Sequence, residues 1–212
     1  MSIDPQVSAH AIRELRNGER DGSATKIASI RITLPTGQTD LWGAITSGDR
    51  IPDWFLPIEG DLELGGSFQT EGNAGGKILA CNAPNSFAST WEFGGQLSWI
   101  RVDLSRGEDG TELLLTHEAP IGDGEFWKQY GPGATGVGWE LAFLALSVYV
   151  DQTTVLDPTD VGLWSQSAEA HPYVQNVAAA WADAAIADGE DPEIARAAAA
   201  NTYAFYTGAA QE

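Results

Sequence analysis

The feature that most constrains this chain is an apolar segment that begins at Trp139 and ends at Val150. Only Glu140 and Ser147 interrupt its apolar side chains. A helix that is apolar on nearly every side must be surrounded by other parts of a protein. Its length, 12 residues, is below the roughly 20 that a membrane-spanning helix needs. The sequence therefore predicts a buried helix that another element wraps.

A glycine-rich stretch, GPGATGVG at 131–138, precedes this segment. The N-terminus of a helix can hold an anion, but the stretch contains neither a basic residue nor the GK[ST] of a phosphate loop. We interpret it as a pliable start of the helix, and as the lip of a cavity if one exists.

Alternating apolar residues before the helix predict a curved sheet as its wrapper. We expect a first strand at 25–35, a helical segment at 36–47 and one turn of helix at 50–57. Five strands then follow from residue 58, joined by short turns, and such neighbours are antiparallel. The first carries Leu62, Leu64 and Phe68 on one face. Each of the last three strands also carries a set of residues on one face. These sets are Phe87, Ser89, Trp91 and Phe93; Ile100, Val102 and Leu104; and Leu113, Leu115 and His117. This order of elements is α+β.

The two ends of the chain differ from the middle. Residues 1–24 are polar, and we predict a short helix at 7–16. Residues 153–212 are rich in alanine, with helix starts predicted at Asp157–Pro158 and Asp191–Pro192. Two helical stripes, Tyr173, Val177, Trp181 and Ala184, and Ile194, Ala198 and Phe205, predict helices packed on the domain. We divide the chain into an N-terminal segment (1–24), a domain (25–152) and a helical extension (153–212).

The charge balance narrows the class of partner. The chain has 11 Lys and Arg against 30 Asp and Glu, a net charge of −19. Such a chain repels phosphate backbones and anionic membranes, so we expect neither nucleic acid nor membrane as a partner. One cysteine and an N-terminus without an apolar core indicate a reduced, cytoplasmic location.

Motifs that carry chemistry are few. His10, His117 and His171 do not stand at metal-ligand spacing from one another or from Cys81, so we predict no metal and no cofactor. His117–Glu118 is an acid–base pair by residue type only, because successive strand residues point to opposite faces. Cys81 has no neighbouring cation to activate it, so we predict a structural or incidental role. We assign no catalytic residue.

What remains is a set of large aromatic side chains on inward faces. Either they form a core alone, or they leave a cavity between sheet and helix; the residues by themselves leave both open. A concave apolar site with a few polar groups is the usual form of a small-molecule site. The candidate cavity residues are Trp54, Phe68, Trp91, Phe93, His117, Trp127, Trp139 and Phe143.

Three runs carry a family resemblance: TDLWGAITSGDRIPDWFLPIEGDLELGG, GNAGGKILACNAPNSFASTWEFGG, and SWIRVDLS with GTELLLTHEA. They resemble activator of heat-shock-protein-90 ATPase homologue-like proteins of the START/Bet v 1-like (SRPBCC) superfamily. YGPGATGVGWELAF at 130–143 and FYTG at 205–208 are similar to actinobacterial members. The resemblance implies a helix-grip fold, in which an antiparallel sheet curls around a long helix and encloses a cavity. It carries over no catalytic residue.

The resemblance implies three functions that differ in class. The hypothesis we favour is non-catalytic binding of a small hydrophobic or aromatic molecule between sheet and helix. The first alternative is docking on a chaperone and stimulation of its ATPase, a role in the stress response. The second is a cyclase or hydratase that uses His117 or a carboxylate. Expected partners are therefore a small apolar molecule, and either a chaperone or a second copy of the chain.

Overall fold

A single curved antiparallel sheet of eight strands dominates the computed structural model, which describes residues 10–121, 125–152 and 158–208. Its order is β1-β2-β8-β7-β6-β5-β4-β3. The strands are β1 (Ile12–Arg20), β2 (Ser23–Leu34), β3 (Ile58–Gly60), β4 (Ser67–Thr70), β5 (Gly75–Asn82), β6 (Ser86–Phe93), β7 (Gln96–Arg106) and β8 (Thr111–Pro120).

Helices pack against the sheet; one of them and a 3₁₀ turn lie between β2 and β3, and the others follow β8. They are α1 (Gln38–Thr46), α2 (Glu125–Tyr130), α3 (Gly133–Gln152), α4 (Pro158–Ser165), α5 (His171–Ala187) and α6 (Pro192–Thr207), with a 3₁₀ turn at Ile51–Asp53. The long helix α3 lies against the concave face of the sheet, and residues of both form one hydrophobic core. The predicted α+β helix-grip fold with C-terminal helices is confirmed.

The N-terminal segment corrects one prediction. We expected a short helix at 7–16; residues 7–9 lie outside the described residues, and residues 12–16 belong to β1. β1 pairs with β2 through a two-residue turn in which Asp21 (φ 52°) and Gly22 (φ 78°) both have positive φ. Asp-Gly is a preferred sequence for such a hairpin turn. The polar composition of this segment follows from the edge position of β1, which leaves many of its side chains exposed.

The other predicted strands are found with one further correction. The inward faces predicted for 87–93, 100–104 and 113–117 are those that the strand register places on the concave side. Leu62 and Leu64, however, lie in a loop between β3 and β4 rather than in a strand. Asp61 Oδ1 accepts a hydrogen bond from the Glu63 backbone N–H at 3.0 Å, and Gly65 has φ 88°. An Asx turn followed by a left-handed glycine ends strand pairing.

The glycine-rich stretch also differs from its prediction. Helix α3 is 20 residues long because it already begins at Gly133, so residues 133–138 form helix, and they do not line the cavity between sheet and helix. Its glycines face the C-terminal helices. A Cβ on Gly136 would overlap the Trp181 indole of α5, and one on Gly133 would lie 3.0 Å from Thr202 Oγ1 of α6. The missing side chains thus allow α5 and α6 to approach α3 closely.

A buried carboxylate joins three elements of the fold. Glu140, in the first half of α3, is fully buried. Arg13 of β1 donates to it through both Nε (2.7 Å to Oε1) and Nη2 (2.6 Å to Oε2), and Trp181 Nε1 donates to Oε1 at 2.8 Å. Buried charges are tolerated when they are paired and hydrogen-bonded. The only acidic side chain of the apolar segment is therefore the point where β1, α3 and α5 meet.

The C-terminal helices agree with the prediction in α5 and differ in α6. Tyr173, Val177 and Trp181 of α5 are buried, as the predicted stripe requires. In α6 the buried residues are Ala195, Ala198, Thr202 and Thr207. Of the predicted stripe Ala198 is buried, whereas Ile194 and Phe205 are exposed. The face of α6 that packs on the start of α3 consists of small residues, with Ala198 facing Gly131 and Thr202 facing Gly133. Asp191 caps α6 as predicted, accepting from the Glu193 backbone N–H at 2.8 Å, whereas Asp157 lies outside the described residues.

Helix α3 has the length and hydropathy of a membrane span over Gly133–Asp151. However, 67% of that window is buried inside the protein. A lipid-facing span would instead expose its apolar side chains. The burial, together with the ion pair of Glu140, is what the central helix of a folded domain shows.

The packing of α3 against α5 yields a stability prediction. Gly136→Ala places a methyl group inside the volume of Trp181, and overpacking of this kind costs about 1–3 kcal/mol. We expect a lower free energy of unfolding in urea titrations, despite the better helix propensity of alanine. Gly162→Ala in α4 is the matched control, because its Cβ meets nothing within 4 Å. It should be neutral or stabilising by up to about 1 kcal/mol. Equal stability of the Gly136→Ala and wild-type proteins would contradict the assigned packing.

Candidate ligand-binding cavity

A cavity of about 530 Å³ lies between the concave face of the sheet and α3. This volume falls within the range of small-molecule sites. Its walls are mostly apolar side chains from the sheet, α1, the 3₁₀ turn and α3. They include Trp42, Ile45, Trp54, Phe55, Phe68, Ile78, Phe87, Trp91, Ile100, Val102, Leu113, Leu115, Trp139, Phe143 and Leu146.

Strand alternation explains the sheet side of the cavity. Phe87, Ser89 and Trp91 alternate along β6 and share its concave face. On β5 the register shifts between Ile78 and Ala80, where one extra residue opposes β6. This bulge returns Cys81 to the same face as Ile78, so both line the cavity. Cys81 is exposed and therefore stands where solvent reaches the cavity.

Helical spacing explains the opposite wall. Trp139, Phe143 and Leu146 of α3 stand at i, i+4 and i+7, which places them on one face of the helix toward the cavity. Gly136 and Glu140 face α5 instead. The same helix thus presents aromatic rings to the cavity and a close-packed surface to the C-terminal helices.

The structure divides the eight predicted cavity residues into two groups. Trp54, Phe68, Trp91, Trp139 and Phe143 line the cavity between sheet and helix. Phe93, His117 and Trp127 do not; with Trp91 they line a second, more polar cavity of about 740 Å³ at the adjoining part of the sheet. Phe93 is 57% exposed at its rim.

Several cavity residues were missing from the predicted set. Phe87 and Ser89 could have been found from the alternation that identified Trp91. Trp42 and Ile45 could have been found from the helical spacing in α1. Cys81 was not accessible from the pattern, because the bulge that turns it inward has no glycine or proline to mark it.

His117 is held in a continuous chain of hydrogen bonds between the two cavities. The Trp139 indole N–H donates to His117 Nδ1 at 3.1 Å, and His117 Nε2 lies 2.8 Å from Ser98 Oγ. Ser98 Oγ in turn donates to the Trp91 carbonyl at 2.8 Å. Because Nδ1 accepts, Nε2 carries the proton and donates to Ser98. Both ring nitrogens are engaged, which favours a structural role for His117 over a catalytic one.

The neighbouring Glu118 lies on the other face of the sheet. Thr25 Oγ1 donates to it at 2.9 Å and Arg20 Nε at 3.0 Å. Burial favours the neutral acid, but these hydrogen bonds outweigh it and hold the pKa of Glu118 below its usual value. His117 and Glu118 therefore do not form an acid–base pair.

The wall of the first cavity carries little charge. Among the described residues that line it, Glu63 is the one charged side chain, and it is exposed. The Trp54 indole N–H donates to the Ala44 carbonyl at 2.9 Å, and the hydroxyls of Thr46 and Thr70 donate to backbone carbonyls. In the described part of the chain, no group of three or more His, Cys, Asp or Glu side chains could hold a metal ion.

The environment of His117 predicts a pH-dependent stability. Burial lowers its pKa from 6.5 to about 4, so the folded protein keeps a neutral ring where the unfolded chain binds a proton. The free energy of unfolding should therefore fall as the pH decreases from 6.5 toward 4, by about 3 kcal/mol at most from this group.

Replacement by a residue that does not titrate isolates this effect. In His117→Gln the decline of stability between pH 6.5 and 4 should be shallower than in the wild type. Urea titrations at several pH values measure both slopes. Parallel pH profiles would show that His117 does not remain neutral in the folded protein.

Comparison with known proteins agrees with this architecture. The crystal structure of CalU16 from Micromonospora echinospora is 30% identical with a TM-score of 0.67, over 82% of this chain and 98% of that chain. The solution structure of the same protein gives 27% identity and a TM-score of 0.70, over 84% and 97% of the two chains. MLL2253 from Mesorhizobium loti, at 20% identity and a TM-score of 0.53 over 60% and 98%, shares the fold. No curated protein matches the chain.

A family model matches more directly. The model described as Activator of Hsp90 ATPase homolog 1-like protein matches residues 36–151, more than half of the chain. The matched region begins before α1 and ends within α3, so it contains most of the sheet and the whole cavity wall of α3. Because the family model matches more than half of the chain, the chain is a member of the Activator of Hsp90 ATPase homolog 1-like family.

Proposed function

We propose that this protein binds a small hydrophobic or aromatic molecule in the cavity between its sheet and α3, without catalysing a reaction. The observation that carries the proposal is the cavity itself, about 530 Å³ in volume and walled by aromatic and aliphatic side chains. A ligand that fills an apolar space of this size gains dispersion contacts with the side chains that wall it. Removing the ligand's apolar surface from water adds to the driving force for binding.

The hydrogen bonds around His117 support binding rather than chemistry. A general base needs an acceptor nitrogen within reach of a substrate proton. In His117, Nδ1 already accepts from Trp139 and Nε2 donates to Ser98. The carboxylate of Glu140 is likewise engaged by Arg13 and Trp181 on the opposite side of α3.

The single cysteine provides a direct test of occupancy. Cys81 is exposed and lines the cavity. Saturation with N-phenyl-1-naphthylamine, a neutral apolar dye, should slow its alkylation by iodoacetamide, because the bound dye covers the thiol. In a Cys81→Ser/Lys77→Cys control the new thiol lies on β5 but does not line the cavity, so dye should not change its labelling rate. Equal labelling of Cys81 with and without dye would contradict the proposal.

A matched pair of tryptophan variants tests which face of the sheet binds. Trp91→Ala removes a ring from the cavity wall and should change the dye dissociation constant at least about fivefold. Trp99→Ala is the control, because that ring lies on the convex face, where the Arg20 guanidinium stacks on it at 4.3 Å. Fluorescence titration measures both. Equal effects of the two substitutions would place the dye elsewhere.

Chaperone binding is the second candidate, and the family description favours it. The rim of the second cavity also exposes four large apolar side chains, Phe93, Leu97, Ile121 and Phe126. Exposed apolar patches often mark protein-binding surfaces. Titration of the purified chain into an Hsp90 ATPase assay distinguishes the functions: faster hydrolysis favours the chaperone role, and an unchanged rate favours the ligand carrier.

A further inference from the structure

Among the residues that the structure describes, one polar atom of the cavity wall is without a hydrogen-bond partner. Ser89 lies on β6 with 0% exposure, and its Oγ makes no hydrogen bond to any described residue. Its Cα partners in the neighbouring strands are Ile78 and Ile100, and all three residues line the cavity. The side chain therefore lies on the concave face, among the apolar residues that line the cavity.

An isolated buried hydroxyl is costly to a protein. Buried polar groups are almost always hydrogen-bonded, and one that is not has lost its hydration without compensation. The other hydroxyls in this wall do not share the problem. Thr46 Oγ1 donates to the Trp42 carbonyl and Thr70 Oγ1 to the Ala74 carbonyl, both at 2.6 Å. Ser89 differs from Thr46 and Thr70 because its hydroxyl neither donates nor accepts a hydrogen bond among the described residues.

The charge of the cavity wall restricts the class of ligand that could hydrogen-bond the Ser89 hydroxyl. Glu63 is the one charged residue among the described cavity residues, and it is exposed, whereas Ser89 is buried. An anionic ligand would bury its charge without a counter-ion in a chain of net charge −19. A neutral ligand avoids this cost and needs a single polar atom to satisfy Ser89.

We propose that Ser89 is the specificity-determining anchor of the cavity, and that the ligand class is a neutral, mainly aromatic or alicyclic molecule with a hydroxyl or carbonyl at its leading end. This inference rests on the proposed ligand-binding function. The polar group enters first and hydrogen-bonds Ser89 Oγ, while the apolar body contacts rings such as Phe87 and Trp91 on either side of it. The exposed side chains Leu64 and Cys81 stand at the outer end.

Three probes with one shared apolar body test the anchor: pyrene, 1-hydroxypyrene and pyrene-1-carboxylate, each measured by displacement of N-phenyl-1-naphthylamine. Ser89→Ala should weaken 1-hydroxypyrene about three- to tenfold, the usual effect of one hydrogen bond, and leave pyrene unchanged or slightly tighter. Thr46→Val is the control within the same wall, because its hydroxyl is already engaged, and it should affect pyrene and 1-hydroxypyrene equally. Pyrene-1-carboxylate should bind more weakly than 1-hydroxypyrene to the wild type.

Thermal unfolding of the unliganded proteins gives an independent readout. Ser89→Ala should raise the melting temperature, because it removes an unsatisfied buried hydroxyl. A lower melting temperature would show that the hydroxyl has a partner and would overturn the anchor.

The binding outcomes separate this inference from the function on which it rests. If dye and all three probes fail to bind, the proposed function fails. If pyrene and 1-hydroxypyrene bind but Ser89→Ala changes both equally, the cavity stands and the anchor is wrong. If pyrene-1-carboxylate binds as tightly as 1-hydroxypyrene, the restriction to neutral ligands is wrong.

Discussion

The structure depends on enclosing α3, a helix that is apolar on nearly all sides. A sheet covers only one side of a helix, so a second layer must cover the other. Here the second layer is α5 and α6, and the glycines at the start of α3 allow it to come close. Glu140 gains its partners from both layers, Arg13 of β1 and Trp181 of α5. Removing either partner would leave a buried carboxylate partly unpaired, which is among the most destabilising changes a core can undergo.

The two sides of α3 are packed in different ways, and this difference creates the candidate site. On the α5 side, small residues face a large one, as Gly136 does with Trp181, and the contact is close. On the sheet side, large rings face each other, with the centroids of Trp91 and Trp139 5.0 Å apart. Rings of this size on a curved surface do not interdigitate as fully as aliphatic side chains, and space remains between them. The hydrogen bonds from Trp139 through His117 to Ser98 fix the wall that separates this space from the second cavity.

The sequence predicted the fold well wherever a local pattern decided it. Alternation located the inward faces of β6, β7 and β8, and the composition of the apolar segment located α3. It failed where a long-range contact decided the outcome. The glycines at 133–138 read as a flexible lip because their partners, such as Trp181 for Gly136 and Thr202 for Gly133, are more than 40 residues away. Ile194 and Phe205 read as a buried stripe because nothing local indicates that α6 approaches α3 through Ala198 and Thr202. The division of the predicted aromatic set between two cavities likewise involves a long-range contact, the packing of Trp139 of α3 against Trp91 and His117 of the sheet.

Native mass spectrometry tests the central claim most directly, because it detects a molecule bound in the cavity whatever its identity. Protein purified without detergent, and then incubated with 1-hydroxypyrene, should show a one-to-one adduct that disappears when the protein is denatured. Material from the protein's own source should carry a neutral apolar adduct before any addition. Only the bare chain mass in both samples, with 1-hydroxypyrene in large excess over the protein, would contradict a cavity built to hold a small molecule.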